Sequence, residues 1–392
     1  VPFVLFANAL LDPAPATQLK IKTELETRIG VDRLVNKDFA STVNDDTTLF
    51  LSRFRPIVIV SFDQWEFKLR HQFDHSLNWT INKNNSTERS DALDLYIRYK
   101  FDGNAITFGR QRFSIRDSRL LAESNWGNFG YTYQGIRFQT KDWDAFFLKF
   151  VASRSISNDA RLFGLVNQNQ FGQTAYFLKT DNPAAGHTQL HTLSHLWSTN
   201  FGESKASFEA VGQLGRTAGL DHSAYALHSG LTLPAFGPTT AKIEFNLSSG
   251  GRSANHVRTF DDLYPSTHGQ FGYVDTTTWR NTQEFAVKTT TKVAKDWSFD
   301  ANYHNFQLFD AADGFYSTSG LNKGINGNFI DPTGQSGRKL GNELDFQLTH
   351  KFKNGEFLFA YNIFQPGSFI RNLNGGVADN RTYFYTRLSV KF

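Results

Sequence analysis

From residue 19 onward the chain alternates with period two through segment after segment. Segment 19–28 places Leu19, Ile21 and Leu25 on one face and Lys20, Lys22, Glu24, Glu26 and Arg28 on the other. Segment 62–73 sets Trp65, Phe67 and Leu69 against Gln64, Glu66, Lys68 and Arg70. Segment 91–101 sets Leu93, Leu95, Ile97, Tyr99 and Phe101 against Asp94, Arg98 and Lys100. Later, Ile243, Phe245 and Leu247 oppose Lys242, Glu244 and Asn246, and Leu344, Phe346 and Leu348 oppose Glu343, Asp345 and Gln347. Alternation of this kind is the strand signal. A soluble β-sandwich alternates too, so composition has to choose. The chain is 15% aromatic, with 39 Phe, yet its mean hydropathy is −0.42. The apolar faces are heavily aromatic and the polar faces mix both charge signs. That pattern fits a lipid-facing surface wrapped around a solvated lumen, where a charge turned toward lipid would cost roughly 2–4 kcal/mol at the midplane. No apolar run is long enough for a transmembrane helix. The expected fold class is all-β: a transmembrane antiparallel β-barrel.

Seventeen segments read as strands: 19–28, 48–59, 62–73, 91–101, 104–111, 133–140, 143–151, 174–180, 189–199, 205–214, 222–232, 240–248, 282–290, 296–306, 340–351, 355–363 and 381–391. Single-chain bacterial barrels have even strand numbers, and the short apolar piece Arg161–Val166 supplies an eighteenth; sixteen is the alternative count. With eighteen strands and periplasmic termini, the connections Asp102–Gly103, Lys141–Asp142, 200–204, 291–295 and 352–354 become short periplasmic turns. The long connections 29–47, 74–90, 112–132, 249–281, 307–339 and 364–380 all become extracellular, the usual asymmetry. Residues 19–392 form the expected barrel; residues 1–18 are expected to be a periplasmic or plug-like segment. The lack of methionine is read as N-terminal processing. The last strand, carrying Phe384, Leu388, Val390 and the terminal Phe392 on one face, resembles the strand that outer-membrane barrels present to their assembly machinery.

Composition and motifs also exclude functions. With no cysteine there are no disulfides, Cys-ligated metals or thiol catalysis. The balance of 41 basic against 37 acidic residues is too even for a nucleic-acid partner. HExxH, GxSxG and Walker signatures are absent, and no cofactor is implied. His187, His191 and His195 recur every four residues, but on a strand that spacing is about 13 Å, too far for one metal.

The chemistry-bearing set is basic: Lys22, Arg28, Arg70, Arg98, Arg110, Arg112, Arg119 and Arg137, on inward faces of early strands or in the 112–132 loop. Guanidinium forks match carboxylates bidentately. A row of them eases an anion through a narrow pore, provided each site also releases it. Glu24, Glu66, Asp94, Glu343 and Asp345 are the carboxylates expected to temper that field. The plainer reading of the same residues is salt-bridging between adjacent strands. Trp126, Tyr131 and Tyr133 offer rings for sugar stacking, although loop packing accounts for them as well. Tyr264, Pro265 and His268 fall in a long outer loop, for which packing is preferred over gating.

Several ordered motifs point to one family. Gly109-Arg110-Gln111-Arg112, Arg119-Leu120-Leu121, Asn125-Trp126-Gly127-Asn128 and Gly135-Ile136-Arg137 resemble the signature of the alginate-export family of outer-membrane barrels. So do Thr259 to His268 followed by Asn281, Gly341-Asn342-Glu343-Leu344-Asp345, and Phe364 to Ile370. The resemblance implies a monomeric eighteen-stranded barrel in a Gram-negative outer membrane, embedded in its lipid, that conducts an anionic saccharide or polysaccharide through an electropositive constriction. Periplasmic secretion partners are implied alongside. A basic residue sometimes found after the family's Trp-x-Asn step is missing here, where Asn128-Phe129-Gly130-Tyr131 stands. Two other readings of the chain are a general or small-solute diffusion porin and, from another class, an outer-membrane hydrolase acting on lipid or glycan.

Overall fold

The computed structural model describes residues 18–40, 45–80, 83–151, 160–182, 186–316 and 325–392. The expected segment 1–18 lies outside them apart from Gln18. Eighteen antiparallel strands build one closed barrel. The first nine are β1 (Lys20–Val35), β2 (Thr47–Phe62), β3 (Trp65–Thr80), β4 (Lys83–Phe101), β5 (Asn104–Gln111), β6 (Thr132–Gln139), β7 (Trp143–Val151), β8 (Arg161–Asn169) and β9 (Gly172–Asp181). The second nine are β10 (Thr188–Phe201), β11 (Ser204–Thr217), β12 (Leu220–Pro234), β13 (Thr239–Ser248), β14 (Thr282–Ala294), β15 (Trp297–Leu308), β16 (Lys339–Phe352), β17 (Gly355–Pro366) and β18 (Arg381–Lys391). Each strand pairs with its successor, and β1 pairs with β18 from Glu26↔Lys391 to Val35↔Thr382. Closure is what makes the structure possible in lipid, because an open edge would leave a row of backbone amides without partners. The Arg161–Val166 piece is a full strand, β8, so the count is eighteen rather than sixteen.

The turns at one end are tight. Asp102 (φ 46°) and Gly103 (φ 77°) both take positive φ, as a two-residue type I′ hairpin requires. At the other end the strands run further than their alternation predicts. The span 74–90, expected as a loop, is mostly a continuation of β3 and β4, paired from Asp74↔Arg89 to Thr80↔Lys83. Asn85, Ser86, Thr87 and Glu88 are all polar and exposed, so no period could reveal it. A register shift between Arg70 and His71 leaves Leu93 without a partner and buried, off the outward face where its period placed it.

Outward faces carry the expected apolar side chains, among them Ile21 (64% exposed), Phe108 (68%) and Leu214 (66%). The interior departs from expectation. Instead of a uniformly polar lumen, the inner wall of β6–β9 bears Tyr133, Phe146, Leu148, Phe150, Leu162 and Phe177, all buried. They pack against Phe113, Ile115, Leu120, Leu121, Phe260, Leu263 and Tyr264 from the segments 112–131 and 249–281, which fold into the barrel. Many of the aromatic rings therefore build an interior core rather than a lipid-facing belt. A second apolar cluster caps the outer mouth: Phe39 meets Phe329 and Phe364, each at 5.6 Å, beside the short helix α1 (Ser368–Leu373) with Phe369 and Ile370 buried.

Gly109 and Gly135 face one another across β5 and β6 with φ of 125° and 154°. A Cβ on Gly109 would stand 2.4 Å from the Leu95 carbonyl oxygen. Gly109→Val is expected to cost about 1–3 kcal/mol from backbone strain alone, seen as a lower temperature for loss of the folded, fast-migrating form on gels.

Candidate pore constriction

The two inward segments are joined to each other. Ala122 N–H donates to the Tyr264 carbonyl (2.9 Å), Tyr264 N–H to Leu120 (2.8 Å), and Ser266 N–H to Ser118 (2.9 Å). The result is a two-ply crossing of the barrel, fixed to the wall at both ends. On the β9–β13 side Arg116 pairs with buried Glu209 and donates to the Gln173 side chain (2.6 Å). Arg119 donates to Glu244 (2.7 Å), Asn246 (3.1 Å) and Asp117 (2.7 Å). Burial alone would pull the Arg119 guanidinium down; the Asp117 and Glu244 carboxylates hold it above the usual arginine range. Asp261 accepts from Lys179 (2.8 Å), and its backbone exchanges hydrogen bonds with the Gln213 side chain.

On the opposite side the crossing meets arginines. Arg28 donates to the carbonyls of Asn125 (3.2 Å) and Gly127 (2.8 Å), and Arg53 to the same two at 3.2 and 3.3 Å. Arg55 reaches the Asn125 side chain (2.6 Å) and Gln72 (2.5 Å). The Arg387 guanidinium lies 3.4 Å from the Trp126 ring centroid, donates to the Trp126 carbonyl (2.8 Å) and pairs with Asp32 (2.9 Å). On the other face of Trp126, His268 stacks with ring centroids 3.4 Å apart and an interplanar angle of 7°. Both faces of Trp126 are thus occupied, and Tyr133 is buried with its hydroxyl on the Ala122 carbonyl (2.7 Å). Neither ring is available to a sugar. Below the crossing a pocket of about 400 Å³ opens, lined by Arg28, Arg53, Arg387, Glu123, Trp126 and Glu356 among others. Glu356 and Ser389 set it on the side of the short turns, the periplasmic side.

The predicted site residues separate into groups. Arg28 lines the pocket. Arg70 and Arg112 join the same basic wall, Arg70 between Glu26 (3.5 Å) and Asp94 (3.4 Å), Arg112 on Glu123 (3.0 Å) with its N–H to Asp94 (3.0 Å). Burial lowers the Arg112 guanidinium below its ordinary range. Lys22 pairs with Glu24 (2.6 Å), and Arg98 with Glu66 (3.4 Å), near the periplasmic rim. Arg137 faces inward but is held by a fork to Asp144 (2.8 and 2.5 Å) over the Phe113 ring. Glu343 and Asp345 are covered by the second crossing segment, accepting from Val274 N–H (2.8 Å) and Tyr273 N–H (3.3 Å). Arg110 departs from the expectation. Its register partner Leu95 and its strand neighbour Phe108 both face outward, so Arg110 sits outside the lumen, paired with Asp91 (2.6 Å). The alternation that governs β5 puts residues 106, 108 and 110 on one face, and the chemistry of arginine does not override it. Arg53, Arg55, Arg116 and Arg387 were not foreseen. The first two could be read from the Arg53-Phe54-Arg55 alternation in β2, and Arg387 from its place opposite the Phe384 and Leu388 face of β18; the loop contacts of Arg116 leave no sequence signal.

His191 and His195 face outward and bond separately, to the Tyr176 hydroxyl (2.7 Å) and Thr174 (2.9 Å). Among the described residues no group of His, Asp and Glu is arranged to hold a metal.

A closed eighteen-stranded barrel with inward-folded loops that narrow its lumen has the architecture of an outer-membrane channel of the porin type. The chain belongs to the alginate export family, whose model matches residues 20–384. The solved structure of outer-membrane protein OprD from Pseudomonas aeruginosa is similar over 97% of this chain and 95% of that one, with a TM-score of 0.64 and 10% identity. OccK2 (OpdF) of P. aeruginosa, solved in complex with glucuronate, aligns over 95% and 98% (TM-score 0.63, 10% identity). OccK5 (OpdH) of the same organism aligns over 95% and 97% (TM-score 0.62, 12% identity). At these identities the likeness is one of fold. No curated protein matches the chain by sequence. The protein is a transport channel of the bacterial outer membrane.

Arg116→Ala would leave Glu209 buried without its cation, a loss of about 3–5 kcal/mol. The crossing should loosen, seen as larger and noisier single-channel conductance and as new proteolytic cleavage within 112–131.

Proposed function

We propose that the channel passes small anionic saccharides, with Arg28, Arg53 and Arg387 as the strip that receives the carboxylate. One observation carries this reading. Arg28 and Arg53 face the pocket, yet they donate only to backbone carbonyls, and among the described residues neither has a carboxylate within salt-bridge distance. Their charge is held in place but not neutralised, which suits a transient anion. The neutral carbonyl partners orient both forks without competing with the solute as anions would. Arg387, shared with Asp32, tempers the field at one edge.

The pocket's size favours one or a few sugar rings, since about 400 Å³ falls at the small end of ordinary small-molecule sites, roughly 300–1,000 Å³. The glucuronate bound by OccK2 supports a uronate as the first solute to try. Passage is passive, and the chain acts as a monomer.

The test is conductance in planar bilayers under a KCl gradient. The wild-type reversal potential should mark anion selectivity, and glucuronate should block current in a concentration-dependent way. Arg28→Gln with Arg53→Gln should lower the anion-to-cation permeability ratio several-fold and abolish the block. A cation-selective wild-type pore, or a double variant with unchanged selectivity and block, would refute the reading.

A further inference from the structure

The outward position of Arg110 belongs to a larger pattern. Strand register places Arg110 on β5 opposite Gln134 on β6, Gln134 opposite Lys149 on β7, and Lys149 opposite Arg161 on β8. The same row continues through Thr180 and Gln189 to Arg216 on β11. Lys149, Arg161 and Arg216 are all exposed. One residue pair below, toward the periplasm, the register gives a second row: Phe108, Ile136, Phe147 and Phe163, running on to Leu178. The first four are among the exposed apolar side chains of the barrel, and Leu178 is half-buried. Rows two residues apart lie about 6.6–6.8 Å from each other along the strands, and neighbouring strands are about 4.8 Å apart. A band of cations therefore stands directly above the apolar belt, at the end carrying the long loops.

We infer that this row is a docking surface for the phosphate groups of an outer-leaflet lipid. Its height is that of the headgroups, because the side chains immediately beneath it are those that face the acyl chains. Half of its cations have no carboxylate partner among the described residues. Arg110 has Asp91 and Arg216 has Asp221 at 3.7 Å, but Lys149 and Arg161, adjacent across β7 and β8, have no carboxylate partner among the described residues. A lysine and an arginine side by side offer a point charge and a planar fork to one phosphate.

The experiment uses the full folded chain in detergent and native mass spectrometry, titrating bisphosphorylated lipid A and the same lipid stripped of both phosphates. The wild type should bind the phosphorylated lipid about tenfold more tightly, and millimolar inorganic phosphate should not displace it. The triple variant K149Q/R161Q/R216Q should lose the preference, while K149R/R161K/R216K keeps it. Unchanged single-channel conductance certifies that the variants are folded. Equal binding of the two lipids by the wild type, or a preference retained by the glutamine variant, would overturn the proposal. Displacement by inorganic phosphate alone would also overturn it, by marking a site for free anions. None of these outcomes depends on which solute the lumen carries.

Discussion

Everything particular to this barrel depends on the contact between the inward segments and the apolar inner wall of β6–β9. A strand wall that only separates lipid from water would alternate between apolar and polar. Here one arc is apolar on both faces, so two chain segments can be buried against it and paired to each other by Leu120, Ala122 and Tyr264. Burial of those rings supplies the driving force, at about 25 cal/mol per Å² of apolar surface removed from water. The ion pair of Arg116 then fixes register, since a misplaced crossing would leave the buried Glu209 without its cation; Arg119 adds a further cation to Glu244, which Lys242 and Lys288 also hold.

The stacking of Arg387, Trp126 and His268 extends this logic across the lumen. It ties the C-terminal strand to both crossing segments through one indole ring. The carbonyls of Asn125 and Gly127, flanking that ring, are the groups that orient Arg28 and Arg53. The geometry of the basic strip is thus inherited from a packing contact, and the charges themselves do not set it.

Fold was far more legible than site. Alternation gave the faces of the strands, and the even-number rule recovered β8 from the weak piece at Arg161. The extension of β3 and β4 was hidden because Lys83–Ser90 is polar on both sides, and period two needs a contrast to be seen. The site was only partly readable for a related reason. Inward orientation follows from register, which served for Arg28 and Arg70 and, read strictly, excludes Arg110. Which inward charges remain uncompensated depends on where the loops land, and that is a long-range property. Glu343 and Asp345 look like lumen carboxylates in the sequence, yet they serve as acceptors beneath Tyr273 and Val274. Arg137 looks like a pore cation and is neutralised by a neighbour seven residues away.

The packed wall of β6–β9 and the basic pocket stand on different parts of the circumference, the pocket on the arc formed by β18, β1 and β2, where Arg387, Arg28 and Arg53 stand. The circumference is therefore divided by what it tolerates. Along β6–β9 an inward substitution changes volume in a packed interior and is felt as loss of folding. Along the arginine arc a substitution of similar size changes the charge that lines the pocket. Strands with the same backbone and the same outward face thus answer to different selection pressures, and the charge of the pocket can change on three neighbouring strands while the packed wall stays fixed.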